Sequence, residues 1–265
     1  MYATVDTPQI RAAFAGVREA LGTTPVEEIP RGDAAARLKA AAGEGTEVAV
    51  ITFGVHAASR AIHEAPSLAV VDCMSTAAAP PAQAVPIAIP FDQQVFWLRR
   101  LLPDARYIGI LYDPAQNAET VDALAAALRR VDLNPVLAPV DTPPVLPGAL
   151  ARLSEATDAL LAVADSAVYT PQTAKALLLF SFRHKAPLIG PSEAWVQAGA
   201  LYALDWDYRE FGRFCGQLAL RQLAGSRIAA PTPPRPHLFV NQRSAQMFGL
   251  RWDSSLRGSF DRVVR

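Results

Sequence analysis

The stretch Tyr107-Ile108-Gly109-Ile110-Leu111-Tyr112-Asp113-Pro114-Ala115-Gln116-Asn117 sets the architecture. Its apolar run has the length of a buried strand, and it stops at a polar cluster that leads into the helix-like segment from Ala118 to Arg130. The same change recurs along the chain. Further strand-like runs end at Thr52-Phe53-Gly54, Asp72-Cys73-Met74-Ser75-Thr76, Asp165-Ser166, Pro191-Ser192 and Asp205-Trp206-Asp207. Such repetition predicts an α/β fold with parallel sheets and right-handed crossovers. In these folds ligands collect beyond the carboxyl ends of the strands, where loop side chains and helix N-termini converge. The chain therefore reads as a holder of a small molecule.

Working outward toward the N-terminus, Ala77 to Pro90 carries Pro80, Pro81, Pro86 and Pro90, which suit an extended connection better than a central strand. We expect the first crossing between two lobes there. Before it lie strands at Ser67–Val71 and Glu47–Thr52, a helix near Asp33–Ala42, and a helix from Ile10 to Leu21. Thr7 can cap that last helix with Pro8 at its first position, after a short strand from Tyr2 to Val5. Just upstream of the quoted stretch, Phe91 to Leu102 reads as a helix. Toward the C-terminus the alternation continues with strand Pro135–Val140, strand Ala159–Val163, helix Pro171–Lys185 and strand Pro187–Ile189. Helix Tyr208–Leu223 carries Phe211, Phe214, Cys215, Leu218 and Ala219 on one stripe. A proline-rich link at Pro231, Pro233, Pro234 and Pro236 then leads to strand His237–Asn241 and a short helix ending at Gly249. The expected lobes are 1–88 with 193–230, and 89–192 with 231–265.

Composition narrows the function classes. A chain of 265 residues with 51% apolar content can bury roughly 70–75% of its unfolded surface, enough for two lobes without a staple. Cys73 and Cys215 are expected as two buried free thiols, although they could pair in an oxidising compartment. With 25 basic against 25 acidic residues, nothing resembles the footprint of a nucleic-acid binder. No apolar stretch approaches the roughly 20 residues of a membrane span. No basic region with a long apolar core opens the chain, so it is either cytoplasmic or lacks its export signal.

Catalytic and metal signatures are weak. Gly190-Pro191-Ser192-Glu193-Ala194 resembles a nucleophile elbow without its second glycine, and no phosphate-binding Gly-x-x-x-x-Gly-Lys loop occurs. The four histidines His56, His63, His184 and His237 are scattered, which argues against a metal site, and no cofactor is expected. Gly43-Glu44-Gly45 precedes a strand, the wrong order for a dinucleotide fingerprint. Arg99, Arg100, Arg129 and Arg130 read as solvated helix faces. Asp113 and Asp165 end successive strands, where a carboxylate can accept hydrogen bonds or pair with an ammonium group. Each can instead cap the next helix. Phe53, Tyr112, Tyr169, Trp195 and Trp206 offer stacking walls or core packing, and Trp206 can also pack at a hinge.

The order and spacing of several segments carry a resemblance over nearly the whole chain, strongest from Phe91 to Leu250. These are Leu102-Pro103-Asp104-Ala105-Arg106 running into the quoted strand, Asp158-Ala159-Leu160-Leu161-Ala162-Val163-Ala164-Asp165, Ala186-Pro187-Leu188-Ile189-Gly190, Ala198-Gly199-Ala200-Leu201, Phe211-Gly212-Arg213, Val240-Asn241 and Phe248-Gly249-Leu250. Together they resemble the ABC-transporter substrate-binding proteins of the type I periplasmic-binding-protein fold, in the group that includes tryptophan- and phenylalanine-binding members. The resemblance implies two Rossmann-like lobes joined by a hinge that closes on a small-molecule ligand, aromatic or amino-acid-like. It implies a non-enzymatic monomer in the periplasm or another extracytoplasmic space, with an ABC permease as partner and the export signal absent from this chain. It places ligand contacts at Thr7, Thr52, Phe53, Ser75, Asp113, Asn117, Asp165, Ser192 and Asp205, to which the aromatic reading adds Tyr112, Tyr169 and Trp195. The family's Tyr-Asn-Pro is here Tyr112-Asp113-Pro114, so the identity of a family ligand does not transfer. Two alternatives keep the same residues: a sensing module feeding a membrane signalling protein, and an enzyme using Asp165 and Asp205 as an acid/base pair.

Overall fold

Helix caps and strand ends fall where local chemistry puts them in the computed structural model, which describes residues 1–43, 47–76, 79–154, 156–226 and 231–265. Glu44 and Gly45 of the Gly43-Glu44-Gly45 run, and Ala77 and Ala78 at the head of the proline-rich connection, lie outside the described residues. Strand β1 (Tyr2–Ala3) leads to helix α1 (Pro8–Leu21), where Thr7 Oγ1 accepts the Ile10 N–H at 3.2 Å. Helix α2 (Ala34–Gly43), strand β2 (Ala49–Phe53), helix α3 (Val55–Glu64) and strands β3 (Ala69–Ser75) and β4 (Gln83–Pro86) follow. Next come helix α4 (Phe91–Leu101), strand β5 (Tyr107–Tyr112), helix α5 (Pro114–Arg129) and strand β6 (Asn134–Pro139). Helix α6 (Leu146–Leu153) and strand β7 (Ala159–Leu161) precede helix α7 (Pro171–Arg183), which opens in a capping box of Thr170 and Thr173. Strand β8 (Leu188–Gly190), helix α8 (Glu193–Ala198), strand β9 (Tyr202–Asp205) and helix α9 (Tyr208–Leu223) lead to strand β10 (His237–Asn241). Helices α10 (Gln242–Met247) and α11 (Ser254–Arg257) and strand β11 (Arg262–Val264) finish the chain.

Two compact units result: Met1–Ala88 with Trp206–Arg235, and Ile89–Asp205 with Pro236–Arg265. The segment 193–205, expected with the first lobe, belongs to the second unit. The reason is pairing: β9 is bonded in parallel to β8 and in antiparallel to β10.

In the first unit four parallel strands run in the order β1-β2-β3-β4. The proline-rich connection, expected to be extended and not a central strand, contributes β4, which among the described residues pairs with β3 at the sheet edge. An edge strand needs donors on one side only, so its terminal Pro86 is tolerated there. Helices α1 and α9 meet at glycines: a Cβ on Gly212 would run into the Ala13 backbone, and one on Gly16 into the Arg209 carbonyl. Arg213 adds an ion pair to Glu19 at 3.0 Å across the same helix pair. Of the expected stripe on α9, Phe211, Cys215, Leu218 and Ala219 are buried, whereas Phe214 is half-buried.

The expectation of two free thiols is overturned. Cys73 and Cys215, 142 residues apart, form a disulfide between β3 and α9. Strand alternation turns Cys73 to the opposite face from Asp72, and the helical period brings Cys215 onto the buried stripe with Phe211. Their Cα atoms are 6.3 Å apart, within the reach of a disulfide.

In the second unit seven strands run in the order β11-β10-β9-β8-β7-β5-β6. Ile108, Ile110, Leu111, Leu160 and Leu188 are wholly buried, as expected of parallel strands covered on both faces. The sheet is not entirely parallel. After α9 the chain re-enters with His237 opposite Asp205, so β10 must run back along β9. The five strands from β9 to β6 are parallel neighbours, which sets the ends at Asp205, Gly190, Leu161, Tyr112 and Pro139 along one edge.

Candidate functional site

At the carboxyl edge of the second unit the polar side chains form one network. Asp165 accepts hydrogen bonds from four donors: the Asp113 N–H at 2.7 Å, Asn117 Nδ2 at 2.9 Å, and the N–H groups of Ala167 and Val168 at 2.9 and 3.0 Å. Both carboxylate oxygens are thereby committed, and at 5% exposure the residue organises the loops around it. Asp113 caps α5 through the Ala115 N–H at 2.9 Å and accepts Gln116 Nε2 at 2.7 Å, which leaves acceptor capacity on both oxygens. Ser166 Oγ extends the chain of bonds to Gln116 Oε1 at 3.2 Å.

Aromatic residues stand beside this network. Tyr169 is buried, donates its hydroxyl to the Leu111 carbonyl at 3.3 Å, and packs edge-on against Trp195 with ring centroids 5.8 Å apart. Burial, reinforced by the Asp165 charge, pushes the Tyr169 hydroxyl well above its ordinary pKa and keeps it neutral. Trp195 and Tyr112 remain partly exposed. Gly190 makes room for this wall, since a Cβ there would lie 2.7 Å from Trp195 Cβ. Ser192 is partly exposed at the N-cap of α8, but its side chain makes no cap bond. Asp205 does that work instead, accepting the Glu193 N–H at 2.9 Å.

The first unit's carboxyl edge differs. Thr52 is wholly buried and donates its hydroxyl to Asp72 Oδ1 at 2.9 Å, while Phe53 is buried against Phe14 with ring centroids 5.0 Å apart. Ser75 is buried, and Thr7 is partly exposed as the cap of α1. Burial holds the Asp72 carboxyl above the usual carboxylate range, opposed by Ser75, Thr52 and the Gly54 amide. Trp206, considered above as a stacking wall, donates Nε1–H to the Ile87 carbonyl at 2.7 Å and packs edge-on against Phe211 within this unit.

The family model described as ABC transporter substrate binding protein matches residues 84–264, more than half of the chain. The chain belongs to that family. A solved structure of a domain in complex with L-Trp from Streptococcus pneumonia is 18% identical over 99% of each chain, with a TM-score of 0.68. A ligand-free, open substrate-binding protein with adhesive properties from Clostridium difficile is 17% identical over 100% of this chain and 97% of its own, at TM-score 0.83. A LacI family transcriptional regulator from Bifidobacterium animalis subsp. lactis is 16% identical over 89% and 94%, at TM-score 0.61. At these identities the likeness is one of fold, the mixed α/β type I periplasmic-binding fold. No curated protein matches the chain significantly.

For this substrate-binding protein, eight of the twelve expected site residues are in the second unit and four in the first. The structure gathers Tyr112, Asp113, Asn117, Asp165, Tyr169 and Trp195 into one bonded and packed group. Gln116, Ser166, Asp72 and Phe14 join these networks without having been singled out; the first three stood inside the polar strand-end clusters, and Phe14 gave no signal beyond helical spacing. Among the described residues no group of three or more His, Cys, Asp or Glu is arranged to hold a metal, and no helix is long and apolar enough to cross a membrane.

Proposed function

We propose that the chain is the solute-receptor component of an ABC importer, holding a small molecule by the carboxyl edges of both sheets and closing about a hinge as it binds. The observation that carries the reading is the second unit's edge, where Asp113 keeps acceptor capacity and Tyr112 and Trp195 of the same edge are partly exposed. A carboxylate beside aromatic faces suits a ligand with an ammonium group and an apolar body. We therefore propose an aromatic or otherwise amino-acid-like ligand, in keeping with the L-Trp bound by the pneumococcal relative. The ligand favours closure only through contacts that the open form lacks. A permease at the membrane recognises the closed form. The Cys73–Cys215 disulfide supports an oxidising, extracytoplasmic location.

The test is a thermal-shift screen of amino acids, nucleosides, sugars and small aromatic acids, followed by calorimetry and solution scattering. A ligand at about 100 times its Kd raises stability by about 2.7 kcal/mol. Aromatic amino acids should shift the transition, and scattering should report a more compact particle when they bind. A confirmed tight ligand with unchanged scattering would end the closure mechanism. The LacI-type neighbour favours one second reading, the same fold used for sensing. An adjacent signalling gene instead of permease and ATPase genes would select it.

A further inference from the structure

The first unit holds a groove along α1, lined by residues 3–31. In a parallel α/β unit the helix that follows an outer strand normally covers a further strand beside it. Here β1 is the sheet edge, and after α1 the chain passes residues 25–30 without forming a strand. A backbone bond, from the Ile29 N–H to the Met1 carbonyl at 2.8 Å, aligns this segment with β1. Side chains do not fill the space left beneath α1. A cavity of about 590 Å³ results, whose apolar lining includes Ala3, Val5, Ile10, Phe14, Ile29 and Pro30. Its size lies within the roughly 300–1,000 Å³ of small-molecule sites.

Charge around the groove is uneven. Arg11 pairs with Asp6 at 2.9 Å and Arg18 with Glu28 at 2.7 Å, so four of the lining charges balance. Arg31 is the fifth, an exposed lining residue with no partner among the described residues. An apolar trough with one unbalanced guanidinium is complementary to one negative charge on an apolar body.

We propose that this groove binds a small amphipathic monoanion: a carboxylate at Arg31 and an aromatic or branched aliphatic body against Ile10 and Phe14. The lining falls within residues 3–31 and meets the strand-end residues through Phe14, which packs against Phe53. The experiment is calorimetry of the whole protein with 3-phenylpropionate and, separately, its neutral amide. The carboxylate should bind with a Kd below about 1 mM and the amide about tenfold more weakly. Arg31→Ala should weaken the carboxylate about tenfold and leave the amide unchanged, and Phe14→Ala should weaken both. A Trp195→Ala variant, which disables the strand-end site, should keep the binding. No heat up to about 10 mM, equal affinity for acid and amide, or loss with Trp195→Ala but not with Arg31→Ala would overturn the proposal.

Discussion

The two carboxyl edges are built from similar residue types and behave differently. In the first unit Thr52, Phe53 and Ser75 are buried, and β3 is tied to α9 by the Cys73–Cys215 disulfide. In the second unit Asp165 takes a framework role, accepting four hydrogen bonds, and Tyr112, Asn117 and Trp195 of the same edge stay partly exposed. The difference teaches that a polar residue at a strand end offers itself to a ligand only where its hydrogen-bonding capacity is not already filled. By that criterion we propose Asp113, buried like Asp165 but with acceptor capacity left, as a recognition group, and Asp165 as a scaffold.

The comparison can be broken by experiment. The largest effect should come from the first unit: Cys73→Ala with Cys215→Ala should lower stability by about 2–5 kcal/mol in denaturant unfolding, because it frees a long loop in the unfolded chain. An unchanged midpoint, with the oxidised parent confirmed by thiol titration, would mean the bond is not part of the framework. Next, Asp165→Asn replaces one acceptor oxygen with a donor facing N–H groups and should cost about 3 kcal/mol. Loss of ligand affinity at unaltered stability would place Asp165 at the ligand instead. Gly212→Ala forces α9 off the Ala13 backbone and should cost about 2 kcal/mol, read as a lower Tm.

Smaller effects sharpen the same contrast. Asp113→Asn should weaken an ammonium-bearing ligand about ten- to hundredfold while stability moves little, since the cap to Ala115 survives. Equal binding by the variant would remove Asp113 from recognition. The last concerns pH. Burial raises the Asp72 carboxyl, so the folded state holds that proton more tightly than the unfolded chain. The resulting stability is complete below the unfolded pKa of about 3.9 and is lost as pH rises through the raised folded value. Asp72→Asn should therefore gain stability relative to the parent as pH rises above about 4. A constant difference across that range would show Asp72 ionised throughout.

Much of this was legible in the residues. Thr7 before Pro8 marked the start of α1, because a capping side chain bonds amides two or three residues ahead, whereas the helix expected from Ala118 begins at Pro114 under the Asp113 cap, and the Thr170 cap of α7 went unread. Apolar runs marked most of the strands, and helical spacing marked most of the buried face of α9. Which strand-end side chains join one another could not be read this way: Asn117 meets Asp165 across 48 residues, and no periodicity reports that distance.

Sequence by itself determined the α/β class and most of its strands and helices, since each follows from interactions within about ten residues along the chain. Only the tertiary structure decided that 193–205 joins the second unit, that the proline-rich link supplies an edge strand, and that β10 runs antiparallel to β9. It also decided that the cysteines pair and that a groove opens beneath α1. Each of these depends on which surfaces meet after the chain has turned back on itself, a question of topology and packing that local propensity does not encode.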